Sequence, residues 1–112
     1  MAAFTSVVAV KETPAPAGGD GLKTVMGTAV GPNTYANAGS TIDLSSIFSG
    51  KVYMILANAD VADARLSFVP GTLYAAATCK LFVDDNNGTE IGTVDLSTTL
   101  AVVEWIAWGT DA

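Results

Sequence analysis

The sequence predicts an all-β fold: a small antiparallel β-sandwich or barrel of about seven strands, with one short helical turn and an N-terminal arm. Three observations predict it. Short runs rich in Val, Ile, Thr and aromatic residues recur along the chain, each closed by Gly, Pro or Asn. Several of these runs alternate apolar and polar residues, and no segment sustains a helical period. The chain has 112 residues, enough for one hydrophobic core, and its lone cysteine, Cys79, has no partner for an intramolecular disulfide.

The chain divides into residues 1–20, a first strand with a Pro/Gly-rich arm, and residues 21–112, the sandwich itself. Phe4 to Val10 is β-prone, and TPAPAGGDG (13–21) reads as a linker that lets the first strand lie on the body or on a neighbouring subunit. LKTVMGTAV (22–30) is a strand closed by Gly31-Pro32, followed by a polar loop around Tyr35. Asp43 is placed to accept an amide two or three residues on and to cap a helical turn over 44–48.

KVYMILAN (51–58) is the most apolar run and predicts a central strand buried on both faces. RLSFVPG (65–71) predicts a half-buried strand ending at Pro70, which lacks the N–H a ladder needs. LYAAATCKLFVD (73–84) reads as a strand with Cys79, Leu81 and Val83 on one face. EIGTVDLS (90–97) reads as the next strand. In LAVVEWIAWG (100–109), the spacing of Trp105 and Trp108 puts them on opposite faces, one in the core and one needing a second apolar surface.

Composition narrows function. The absence of histidine removes the usual general base near neutral pH, and with it Ser-His and Cys-His nucleophiles. One cysteine and no histidine cannot hold a structural zinc, and GGDGLKT lacks the spacing of a phosphate-binding loop, so neither enzyme activity nor a cofactor is expected. The net charge is −6 and the five basic residues are scattered, which argues against direct nucleic-acid contact. No apolar run reaches the roughly 18 residues of a membrane span, and MAAFTSVVAVKE reads as a strand rather than a signal peptide. Cys79 and the missing leader together predict synthesis in a reducing cytoplasm.

VDDNNGTE (83–90) offers three readings. Its oxygens suit a calcium ion, but the spacing departs from an EF-hand loop. Asn87-Gly88-Thr89 matches a glycosylation acceptor, which stays silent without secretion. CKLFV and EIGTV flank an Asn-Gly pair, so a hairpin turn explains the most. Half the residues are apolar and only 14% charged, a balance that predicts a surface committed to another protein. The candidate interface residues are Phe4, Val7, Val8, Tyr35, Trp105 and Trp108.

The succession of a short strand arm, GLKTVMGTAV, NTYANAGSTIDLSSIF, KVYMILAN, the DDNNGTE hairpin and AVVEWIAWGT resembles the head decoration, or capsid cement, proteins of tailed bacteriophages. The resemblance covers most of residues 20–110 and rests on layout, so it transfers no functional residue. It implies a β-rich homo-oligomer, often a trimer, on the capsid exterior of a virion, bridging subunits of the major capsid protein. Two alternatives are a carbohydrate-binding or adhesin-like sandwich using Tyr35, Tyr74 or an exposed tryptophan, and a tail or neck component of the same virion.

Overall fold

The computed structural model describes residues 3–13, 21–36, 38–61, 64–85, 89–92 and 94–111. Along them run β1 (Thr5–Thr13), β2 (Lys23–Val30), β3 (Ser40–Thr41), β4 (Val52–Ala59), β5 (Arg65–Val69), a 3₁₀ turn (Thr72–Tyr74), β6 (Lys80–Asp84) and β7 (Val103–Gly109). One antiparallel sheet has the order β1-β2-β7-β4 and the other β3-β6-β5. The fold is the small all-β arrangement that the strand pattern predicts.

The core fills the space between the sheets, and strand alternation decides who enters it. From β7, Val103, Trp105 and Ala107 point inward, while Glu104, Ile106 and Trp108 point away. β2 contributes Val25 and Ala29, β4 contributes Val52 and Ile55, and β6 contributes Leu81 and Val83. Each Val, Leu or Ile side chain so buried stabilises the fold by roughly 1.5–3 kcal/mol. Cys79 is enclosed as well, its thiol donating to the Ile42 carbonyl at 3.2 Å, and burial pushes its pKa up to about 11. That thiol stays protonated and unreactive near neutral pH.

Asp43 behaves as its position predicts. Its Oδ1 accepts from the Ser45 amide at 2.9 Å and the Ser45 hydroxyl at 2.6 Å, and the Ile47 and Phe48 amides close onto Leu44 O at 3.0 and 2.8 Å. The turn lowers Phe48 into the core.

Three expectations need correction. KVYMILAN is an edge strand, because β7 takes the position between β2 and β4; Tyr53, Met54 and Leu56 of β4 meet solvent instead of a second layer. The strand expected to begin near Leu73 begins only at Lys80. Before it, amides of Tyr74, Ala75 and Thr78 bond to carbonyls three residues back, so successive turns satisfy the backbone that a strand would leave to a neighbour. EIGTVDLS is not a strand. Glu90 bridges Asp84 and the Ile91 amide reaches Val83 O at 3.0 Å, but Val94 O then accepts from the Tyr35 amide and the Leu96 amide donates to Pro32 O, both at 2.8 Å. The segment is drawn away to cap the core with Leu96 and Leu100.

The first strand pairs with β2 of the same chain, and Phe4 is buried at its start, its amide donating to Thr41 O at 2.9 Å across to β3. The pairing breaks register between Thr5 and Val8 and again between Ala9 and Lys11. Such bulges twist an edge strand and blunt it against uncontrolled pairing. Most of the Pro/Gly linker, residues 14–20, lies outside the described residues.

Candidate protein-binding surface

The two sheets finish their outer faces differently. On the three-stranded sheet the outward row joins Arg65, Ser67 and Val69 to Asp84, Phe82 and Lys80, a mixed face carrying charge. On the four-stranded sheet the outward rows are half apolar, and the rest is threonine and asparagine with few charges. One row runs Lys11, Met26, Ile106, Leu56; the next runs Thr13, Thr24, Trp108, Met54; a third runs Val8, Thr28, Glu104, Asn58. Met26 and Met54 are each 48% exposed, Leu56 is 59% exposed and Val10 is 71% exposed. Val10, Met26 and Leu56 help to line a groove of about 560 Å³ on this face.

The position of this face follows from β4. A strand apolar on both sides in sequence is expected between two layers. Here Val52, Ile55 and Ala59 find the core, while among the described residues Met54 and Leu56 on the opposite side stay exposed. The groove is the bare half of a strand composed for burial on both sides.

The predicted interface residues separate into two groups. Phe4, Tyr35 and Trp105 are buried in the chain's own core and Val7 packs partly buried against it, whereas Val8 and Trp108 keep surface on the outer face. Met26, Met54, Leu56 and Ile106 were not singled out from sequence. The signal of Met54 and Leu56 is legible in VYMILAN, where every second residue would be polar had one face been meant for water.

A second exposed feature lies at the start of β4. Tyr53 and Tyr74 pack with ring centroids 5.3 Å apart and planes tilted by 47°. Beside them Leu73 is 82% exposed, and both Leu73 and Tyr74 have left-handed backbone, φ 54° and 62°. That conformation costs a non-glycine residue about 1–2 kcal/mol.

The polar groups that looked like chemistry in sequence are committed to structure. Tyr35 Oη donates to Glu90 Oε2 at 2.6 Å and accepts from the Val83 amide at 2.9 Å, while the Ala38 amide donates to the same carboxylate at 2.7 Å. Burial first, and then the Glu90 hydrogen bond, hold the Tyr35 hydroxyl protonated far above its ordinary range. Asp85 Oδ1 accepts from the Thr89 amide at 3.0 Å and Thr89 O accepts from the Asp85 amide at 2.7 Å, closing the hairpin below its tip. Arg65 Nε stands 3.8 Å from Asp84 Oδ1, too far for a hydrogen bond. Among the described residues no cluster of three metal-ligating side chains occurs. Asn86, Asn87 and Gly88, the turn itself and the acceptor Asn of the glycosylation pattern, lie outside the described residues.

Lys23 forms the other polar node. Its ammonium, almost enclosed, donates to Ile47 O at 2.8 Å and Asp111 Oδ2 at 2.9 Å, stands 3.3 Å from Glu12 Oε1 and sits 5.2 Å from the Phe48 ring centre. Burial alone would lower its pKa, but the hydrogen bonds to Asp111 and Glu12 outweigh that and leave it raised. Asp111 is lowered in turn, by the Lys23 hydrogen bond first and the Ser49 amide next.

A carboxylate depressed in the folded state contributes stability above its unfolded value and loses it as pH falls through its folded value. Stability is therefore expected to decline as pH drops below the ordinary carboxylate value of 3.8 toward the lower folded value of Asp111. In urea titrations across that range, Asp111→Asn should show a shallower acid slope than wild type. Equal slopes would show that the Lys23 node carries no linkage. Comparison of the chain with protein-family models, with curated proteins and with solved structures finds no match.

Proposed function

We propose that the chain is a binding protein of a bacteriophage virion, a head decoration protein that holds major capsid subunits together from outside. The observation that carries a protein-binding role is the apolar outer face of the four-stranded sheet, set against the charged outer face of the other sheet. Continuous exposed apolar surface of this kind marks contact with another protein. The assignment to a capsid is supported by the resemblance in layout described above. The chain works by mass action: binding only the assembled lattice, it stabilises that lattice against rupture.

The copy number in purified virions tests the role. A decoration protein is expected in amounts comparable to the major capsid protein, and a few copies per particle would instead indicate the tail or neck. The exposed Tyr53–Tyr74 pair favours a second reading, carbohydrate binding by stacking. Its tilted rings offer no flat platform, and Tyr35 is buried. Binding on a glycan array that is lost in Tyr74→Ala would establish that reading.

A further inference from the structure

We infer that the outer face of the four-stranded sheet binds a second copy of this chain across a twofold axis, with Lys11 of each copy set against Glu104 of the other. The inference rests on reading this face as a protein-binding surface, and it names the partner. Apolar area alone would not choose between partners. The two charges in the groove do.

Lys11 on β1 and Glu104 on β7 both line the groove. The register sets Lys11 beside Met26 and Glu104 beside Thr28. The two charges are thus two strands and one row apart, about 12 Å at Cα from ordinary sheet spacings. Among the described residues neither makes an ion pair. Met26 and Thr28 on β2 lie between them, and Ile106 stands beside Met26 on β7.

A chain of net charge −6 repels its own copies, so a contact with itself must be locally balanced. This groove is balanced, with one charge of each sign on an apolar floor. A twofold axis lying between the facing sheets and bisecting the line from Lys11 to Glu104 places each ammonium over the other copy's carboxylate. Two ion pairs then flank a centre of Met26, Ile106 and Thr28 that carries no charge, the arrangement of a self-complementary interface with a polar rim. A foreign partner of strong charge would instead be matched by a groove of one sign. The resemblance implies a trimer, but a sheet face that meets the same face of its copy is filled by one partner, so this contact joins chains in pairs.

Light scattering and sedimentation of the full chain at tens of micromolar are expected to give twice the mass of one chain. Lys11→Glu and Glu104→Lys, both at exposed positions, should each weaken association by about tenfold while leaving the circular dichroism spectrum unchanged. Combining K11E with E104K should restore it, since the reversed charges again oppose each other. A single-chain mass for wild type, a trimer, single reversals without effect, or a double reversal without rescue would each overturn the inference. These outcomes are read on isolated protein, so they are separate from whether virions carry the chain.

Discussion

Replacing Gly27 by alanine is expected to cost about 3 kcal/mol and to lower the melting temperature by about 10–15 °C, although it adds a single methyl group. Gly27 lies on β2 with ordinary backbone, so the cost is steric rather than conformational. A Cβ there would overlap Cζ2 of Trp105 and the Val8 carbonyl oxygen, and would stand 2.6 Å from Trp105 Cε2. The indole is 2% exposed and central to the core, and the carbonyl belongs to β1 at its first bulge, so neither can yield without disturbing a strand. Gly92 is the control: a Cβ there meets nothing within 4 Å, and Gly92→Ala should change stability by no more than about 0.5 kcal/mol. Thermal denaturation of the two variants beside wild type reads the difference. Equal melting temperatures would mean that Trp105 does not lie against Gly27.

Removing the Tyr35 hydroxyl is expected to cost about 2–4 kcal/mol, because Tyr35→Phe breaks two hydrogen bonds in one step. The bond to Glu90 at 2.6 Å engages a carboxylate and belongs to the stronger class. The Val83 amide, in a buried part of β6, would lose the partner it holds at 2.9 Å. Phe fills the same space, so packing is preserved and the loss reports the hydroxyl. Glu90→Gln should cost less, because an amide oxygen can still accept from Tyr35 and Ala38. Chemical denaturation of both variants tests the order. If Tyr35→Phe proved milder than Glu90→Gln, the hydroxyl would not be the node joining the Tyr35 loop to the hairpin.

Much of the fold was legible in the sequence, and the rest depended on contacts that local pattern does not encode. Alternation over residues 79–83 set Cys79, Leu81 and Val83 on the buried face, because a strand with one buried face writes that face at every second position; over 103–108 it separated Trp105 from Trp108 but left open which of them is core, and the structure buries Trp105. Asp43 and the turn after it were readable because the cap is made between near neighbours. EIGTVDLS was misread because its backbone bonds go to Pro32 and Tyr35, about sixty residues earlier, and propensity cannot see partners so distant.

KVYMILAN was misread for a more informative reason. Its composition asks for cover on both faces, and the described residues supply cover on only one. The aromatic residues chosen from sequence as interface were largely core, since large rings satisfy either role. The methionines and Leu56 that form the outer face carried a quieter signal. VDDNNGTE showed three carboxylates that suggested a cation; Glu90 instead serves Tyr35, and Asp85 closes the hairpin.

The proposed role is to bind protein on the exterior of a phage head, and cryo-electron microscopy of virions from a phage carrying this chain tests it most directly. The account predicts ordered density for this all-β fold on the outer surface of the capsid lattice, with Met26, Leu56, Ile106 and Trp108 of the four-stranded sheet covered by protein. A lattice bare of this chain, or the chain bound with that face open to solvent, would contradict it.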